Sequence, residues 1–237
     1  MSWRLWVLML TGLAAAVQNR EAELAETVRK HSRVLDSAAV REYLEWIGRE
    51  LAAQLPEGGL NYTFDLLDGP GGALREPTVL PGGYIFVPAG LFLTAESEGE
   101  FVGMLAHAMA HASARHGTRM ASRDKPSIIA GDAPLIIMGK TTVPLQFLSV
   151  RRGFELEADR IAVQAMSGAG YDPTGLLHYI ERMQAEDSPE LYSSLPPRET
   201  RIAGLKQAIA ELAPRQYPSG AGRFQQVREA VRELTVR

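Results

Sequence analysis

The stretch from Ser97 to Gly117 constrains this chain more than any other feature, because it encodes one well-marked helix. Ser97 followed by Glu100 forms a capping-box pattern, Phe101, Met104, Leu105 and Ala112 keep a helical period, and Gly117 offers a C-terminal stop. His107 and His111 stand at i and i+4 on this helix, so both imidazoles leave one face about one turn apart, where they can grip one metal ion. Such pairs also arise by chance, and a helix histidine is usually a surface or core residue, so a third ligand decides the matter. A second helix, expected from about Ser149 to Ser167, contains Glu155 and Asp159, again at i and i+4, with Glu157 between them on a different side. Glu155 would complete a two-histidine, one-carboxylate zinc (Zn2+) site with one position open for water. Asp159 would accept the remaining N–H of a ligating histidine and fix its ring. The competing expectation is that Glu155 and Asp159 are solvated helix charges.

The other imidazoles add no ligand. His116 lies five residues past His111, about 140° further round an unbroken helix, and is expected to cap or pack. His178 and His31 have no acidic or histidine partner at ligand spacing and are expected to be structural. A three-histidine pattern would need glycine and histidine where Ala114 and Gly117 stand. Cysteine is absent, which excludes disulfides and thiolate metal sites and leaves His, Asp and Glu as the available transition-metal ligands. A net charge of -3 without runs of like charge gives no electrostatic footprint for nucleic acid.

At 237 residues, with 46% hydrophobic and 22% charged, the chain suits one globular domain, expected over 18–237. Residues 1–17 read as a signal peptide, since Arg4 precedes an apolar run, Leu5 to Val17, that ends in Ala14, Ala15 and Ala16. This implies export to the periplasm or the membrane-associated envelope. The run is shorter than the roughly 20 residues that span a bilayer, and an uncleaved tether would leave membrane association through it open. The alternative is a buried N-terminal helix packing Trp3 and Trp6.

From Glu21 to Leu55 the pattern is helical, with Val40, Tyr43, Leu44, Ile47 and Leu51 on one stripe and Asp36 offered as N-cap. Two β-rich stretches, Tyr62 to Leu67 and Tyr84 to Val87, predict a small sheet. The pattern over 118–149 is weakly determined and leaves room for a flap. A third helix opens at Asp172-Pro173, and two more follow Pro197 and Gly222, the last with Phe224, Val227, Val231 and Leu234 on one stripe.

Taken together, His107-Ala-Met-Ala-His111, Arg115-His116-Gly117, Glu155-Leu-Glu-Ala-Asp159, the Leu80 to Val87 segment and Gly170-Tyr171-Asp172-Pro173 resemble the zinc peptidases of the HtpX type, which include BepA and the CAAX prenyl protease. The resemblance covers roughly residues 30 to 210. It implies an α+β, mainly α gluzincin-like metallopeptidase domain with a small β-sheet beside the active-site helix, acting on polypeptide substrates. It assigns His107, His111 and Glu155 as ligands of one zinc and Asp159 as their support. It also implies that Tyr84, Ile85, Phe86 and Val87 form the strand that holds an extended peptide at a sheet edge. Arg201 matches a family arginine that would hold a developing oxyanion, or is a surface ion-pair partner, whereas Leu195 stands where the family has histidine.

The largest departure is Ala108, in the place of the glutamate that acts as general base and then acid. Zinc binding should survive this change while turnover should nearly vanish. Two accounts fit. One is a Glu→Ala change introduced to silence a competent peptidase, which the intact surroundings favour. The other is a natural zinc-binding pseudopeptidase with a peptide-holding, chaperone-like role, which Leu195 favours. A third account, from another class, is a metal-free helical envelope scaffold. No residue pattern defines an oligomeric state.

Overall fold

The computed structural model describes residues 19–56, 60–69, 75–121, 135–138, 141–184, 195–218 and 221–236. The N-terminal apolar run, residues 122–134 of the weakly determined stretch, and Ser193-Ser194 lie outside these residues. Among the described residues, no helix is long and apolar enough to cross a membrane.

Helix α1 covers 19–31 and is followed by strand β1 (Arg33–Leu35) and helix α2 (Ala38–Ala52). The sequence pattern predicts one helical region here; the structure splits it, and Ser37 caps α2 in place of Asp36, accepting a hydrogen bond from the Val40 amide. The expected stripe is right, with Val40, Tyr43, Leu44, Ile47 and Leu51 all buried. Next come β2 (Thr63–Asp68), β3 (Thr78–Leu80), a single 3-10 turn at Pro81–Gly83, β4 (Tyr84–Pro88) and helix α3 (Ala89–Thr94).

The four strands form one sheet in the order β1-β2-β4-β3. β4 runs parallel to β2 and antiparallel to β3, with Ile85 opposite Phe64 on one side and Val79 on the other. The strand expected to offer a free edge is therefore an inner one, with both of its ladders taken and Ile85, Phe86 and Val87 buried. The edge beyond it belongs to β3, which the sequence pattern does not mark.

Helix α4 (Glu98–Ser113) is the axis of the fold, with Phe101, Val102, Met104, Leu105, Ala106, Met109 and Ala110 all buried. Ser97 accepts the Glu100 amide hydrogen bond at 3.1 Å, while the Glu100 carboxylate reaches back to the Glu96 amide at 2.8 Å. The helix does not run on to Gly117. It ends at Ser113, Arg115 takes a left-handed conformation (φ 53°), and a short helix α5 (His116–Ala121) restarts.

After β5 (Leu135–Met138) and β6 (Thr141–Pro144), which pair antiparallel, the long helix α6 (Leu145–Ala169) packs along α4. Helix α7 (Thr174–Met183) packs on α4 too, and Asp172 caps it by accepting from the Thr174 amide and hydroxyl at 2.9 and 2.8 Å. The crossing is close: a Cβ on Gly103 would sit 2.8 Å from the Leu176 Cα. Helices α8 (Arg198–Ala210) and α9 (Ala221–Thr235) complete the domain. The α9 stripe seats Phe224, Val227 and Val231 in the main core, with Leu234 packed at its margin. Phe224 closes an aromatic cluster with Tyr43, Phe92 and Phe101, whose Phe92–Phe101 centroids are 4.1 Å apart. This core fixes α4 against α6 and so positions the site.

Candidate metal centre

Because α4 and α6 pack side by side, the helical spacings read from sequence meet across one gap. His107 Nε2 and His111 Nε2 are 3.1 Å apart, and Glu155 Oε2 lies 3.3 Å from the first and 3.6 Å from the second. Among the described residues these three side chains are the group able to hold a metal ion. A tetrahedral zinc with bonds of about 2.0–2.1 Å separates neighbouring ligand atoms by about 3.3–3.4 Å, close to this triangle. Two imidazole nitrogens aimed at one another beside a carboxylate form a donor set for a cation, so the residues fit the ion. The solvated-charge alternative fails for both acids, since Glu155 is mostly buried and Asp159 is 3% exposed.

Asp159 lies 2.8 Å from His107 Nδ1, on the side of the ring away from the triangle. Arg201 grips the same carboxylate, Nε to Oδ2 at 2.6 Å and Nη2 to Oδ1 at 2.9 Å, and also donates to Gln184 at 3.4 Å. Arg201 is 1% exposed and is not among the residues lining the metal cleft; its fork is engaged by Asp159. The partner it takes is one turn of α6 beyond Glu155, which its own motif does not reveal.

Charge is tightly balanced here. Burial raises the Asp159 pKa, but Arg201 and His107 outweigh it and hold the carboxylate below its ordinary value. Burial disfavours the charged form of His107, yet Asp159 and Glu155 carry its pKa up to about 9. Glu155 is held far down by the two histidines against the opposing effect of burial, while burial lowers His111.

The left-handed turn at Arg115 brings His116 back toward the centre. Its Nδ1 lies 2.9 Å from His111 Nδ1, a contact an unbroken helix would forbid. Burial and the neighbouring His111 lower its pKa to about 4. Glu157, whose two oxygens both accept from Arg119 Nη1 at 3.0 Å, sits 3.4 Å from His116 Nε2. His31 Nδ1 donates to its own helix, at Thr27 O, 2.8 Å away, and His178 is exposed on α7. Neither approaches the centre.

The triangle opens on a cleft of about 800 Å³ whose walls include Val79 and Leu80 of β3, Ala108, Phe154 and Leu195. Ala108 is buried in the wall beside His107, and Leu195 lines the same space. Tyr84 to Val87 do not line it.

A two-histidine, one-carboxylate triangle formed by a buried helix and a neighbouring one, beside a small sheet, defines a metallopeptidase-type domain. The model of peptidase family M48 matches residues 41–209, and the chain belongs to this family of zinc metallopeptidases. Among curated relatives, the chain is 24% identical over 217 residues to the putative beta-barrel assembly-enhancing protease of Vibrio cholerae, a match covering 81% of this chain and 42% of that protein. It is 28% identical over 159 residues to the mitochondrial metalloendopeptidase OMA1 of Schizosaccharomyces pombe, covering 58% of this chain and 46% of that one. The beta-barrel assembly-enhancing protease of Escherichia coli K12 is 25% identical over 155 residues, 56% of this chain and 32% of its own. The chain thus spans less than half the length of each of these relatives.

Proposed function

We propose that this chain is the zinc-binding peptidase domain of an endopeptidase acting on proteins, here lacking the group that moves protons during hydrolysis. His107, His111 and Glu155 would hold the ion, and the single observation that carries the reading is their Nε2, Nε2, Oε2 triangle with edges of 3.1 to 3.6 Å at the floor of an open cleft. Zinc bound there supplies a Lewis acid that polarises a peptide carbonyl and lowers the pKa of water.

The protein's own side chains explain the rest. Asp159, anchored by Arg201, holds the His107 ring so that Nε2 faces the triangle. β3 offers the sheet edge beside α4, and an extended peptide laid against it would run past the ligands with its side chains contacting Val79 and Leu80. Ala108 offers no atom able to take a proton and deliver it to the leaving amine, a loss of about 10²–10⁴ in rate. Intact candidate ligands, an intact carboxylate–arginine support and, among the described residues, an outer strand β3 at the cleft around one missing group favour a silenced peptidase. A natural pseudopeptidase that holds peptides is the second reading, favoured by Leu195 in the cleft wall. The apolar run before residue 18 supports placing the domain in the cell envelope.

The test is casein-type proteolysis by the zinc-loaded chain and by its Ala108→Glu variant, each with a chelator control, alongside zinc content. About one zinc per chain is expected, with proteolysis only in the variant. Absence of zinc after native purification would remove the peptidase reading; zinc without proteolysis in either form would favour the peptide-holding one.

A further inference from the structure

We propose that His116 is a positioning residue of the metal centre: its Nδ1 accepts the hydrogen bond of the His111 Nδ1–H and thereby presents His111 Nε2 to the ion. The inference rests on the zinc-site reading above and extends it to a residue whose spacing along α4 argues against it. Two imidazole Nδ1 atoms 2.9 Å apart require one to donate and the other to accept. If His111 Nε2 turns its lone pair toward Glu155 Oε2 and His107 Nε2, its proton resides on Nδ1 and His116 must be the acceptor. His116 then carries its own proton on Nε2, which faces the Glu157 carboxylate at 3.4 Å.

The acceptor is held in place from several sides. The His116 ring stacks on Phe154 with centroids 4.4 Å apart and an interplanar angle of 9°. Arg119 covers the same phenyl ring at 4.5 Å and fixes Glu157. The ring is buried, 4% exposed, so water does not compete for Nδ1. Each histidine of the triangle therefore has its own neighbour behind it, carboxylate and arginine behind His107 and an imidazole behind His111, with the Glu157 carboxylate approaching that imidazole at 3.4 Å. Both chains start on α4 and end on an arginine from another helix, Arg201 of α8 and Arg119 of α5.

Zinc affinity, measured by competition with a chromophoric chelator, separates orientation from packing. His116→Phe keeps the stack on Phe154 and removes the acceptor, and should bind zinc about 10- to 100-fold more weakly than the parent. His116→Asn places an amide oxygen near the former Nδ1 and should recover most of that loss. Glu157→Ala, on a partly exposed residue, should fall between the parent and His116→Phe and carries the test if the phenylalanine variant does not fold. Thermal midpoints of the metal-free proteins monitor packing separately. Parent-like affinity in His116→Phe, or an asparagine variant as weak as it, would assign His116 to packing and overturn the proposal. A parent that binds no zinc would overturn it together with the metal-site reading, and is told apart by the parent measurement alone.

Discussion

The two ends of α4 are held by different means. At its start, Phe101 sits among Tyr43, Phe92 and Phe224, where apolar area and ring packing stabilise the fold, beside the buried carboxylates of Glu98 and Glu100. At its end, His107 and His111 face Glu155, Asp159 and Arg201, where desolvating several charges costs about as much as their attraction returns. The aromatic end holds the helix; the charged end is held by it. A site of this kind contributes little to stability as an intact set, and becomes expensive only when one member is removed.

That contrast can be broken most directly by Arg201→Met, which leaves Asp159 buried without its main counter-charge. It should cost about 3–5 kcal/mol in urea unfolding. Phe101→Ala should cost a similar amount, about 3–5 kcal/mol, through a cavity, yet leave the affinity of the folded fraction for zinc unchanged. A cost below about 1 kcal/mol for the arginine variant would mean that the carboxylate is solvated. Zinc should sharpen the difference: at 100 times its dissociation constant it should add about 2.7 kcal/mol to the parent and to Phe101→Ala, and nothing to His111→Ala. Equal responses in all three proteins would remove His111 from the ligand set. A smaller effect belongs to the α4–α7 crossing, where Gly103→Ala pushes a methyl onto the Leu176 backbone and should cost about 1–3 kcal/mol, read as a lower thermal midpoint without change in zinc content.

The smallest effect is a pair of opposed pH dependences. Burial, against the hydrogen bond from Tyr43 at 2.9 Å, raises the Glu98 pKa, so folding favours its protonated form and the parent loses stability as pH rises from the ordinary carboxylate range through the raised value. Asp159 is depressed, so its contribution is present above the ordinary range and is lost as pH falls through the folded-state value. Thermal midpoints between pH 3 and pH 8 should show Glu98→Gln gaining on the parent toward pH 8, and Asp159→Asn losing less than the parent toward pH 3. Parallel curves would mean that the two ends of α4 are electrostatically alike.

The candidate ligands were legible in the sequence because each pair depends on local helical geometry. A helix places i and i+4 on one face whatever surrounds it, and Ser97, Glu100 and the apolar period define that helix unaided. His107, His111, Glu155 and Asp159 therefore fall where their spacing puts them. The same local rule misplaced His116, because a single left-handed residue, Arg115, breaks the period, and an arginine gives no warning of positive φ. Strand order was equally out of reach. Tyr84 to Val87 read as a strand from their composition, but whether a strand is inner or outer depends on pairing with β2 and β3, distant in sequence and, for β3, only three residues long. Arg201 was visible as an arginine of the family pattern; that it serves Asp159 is decided by how α8 packs on α6. The sequence by itself determined which side chains share a helix face, since helical periodicity is a property of the backbone alone; that the two faces meet is a result of α4 packing on α6. Tertiary structure decided which edge faces the cleft and which groups orient the ligands, because those relations arise only when separate elements are brought into contact.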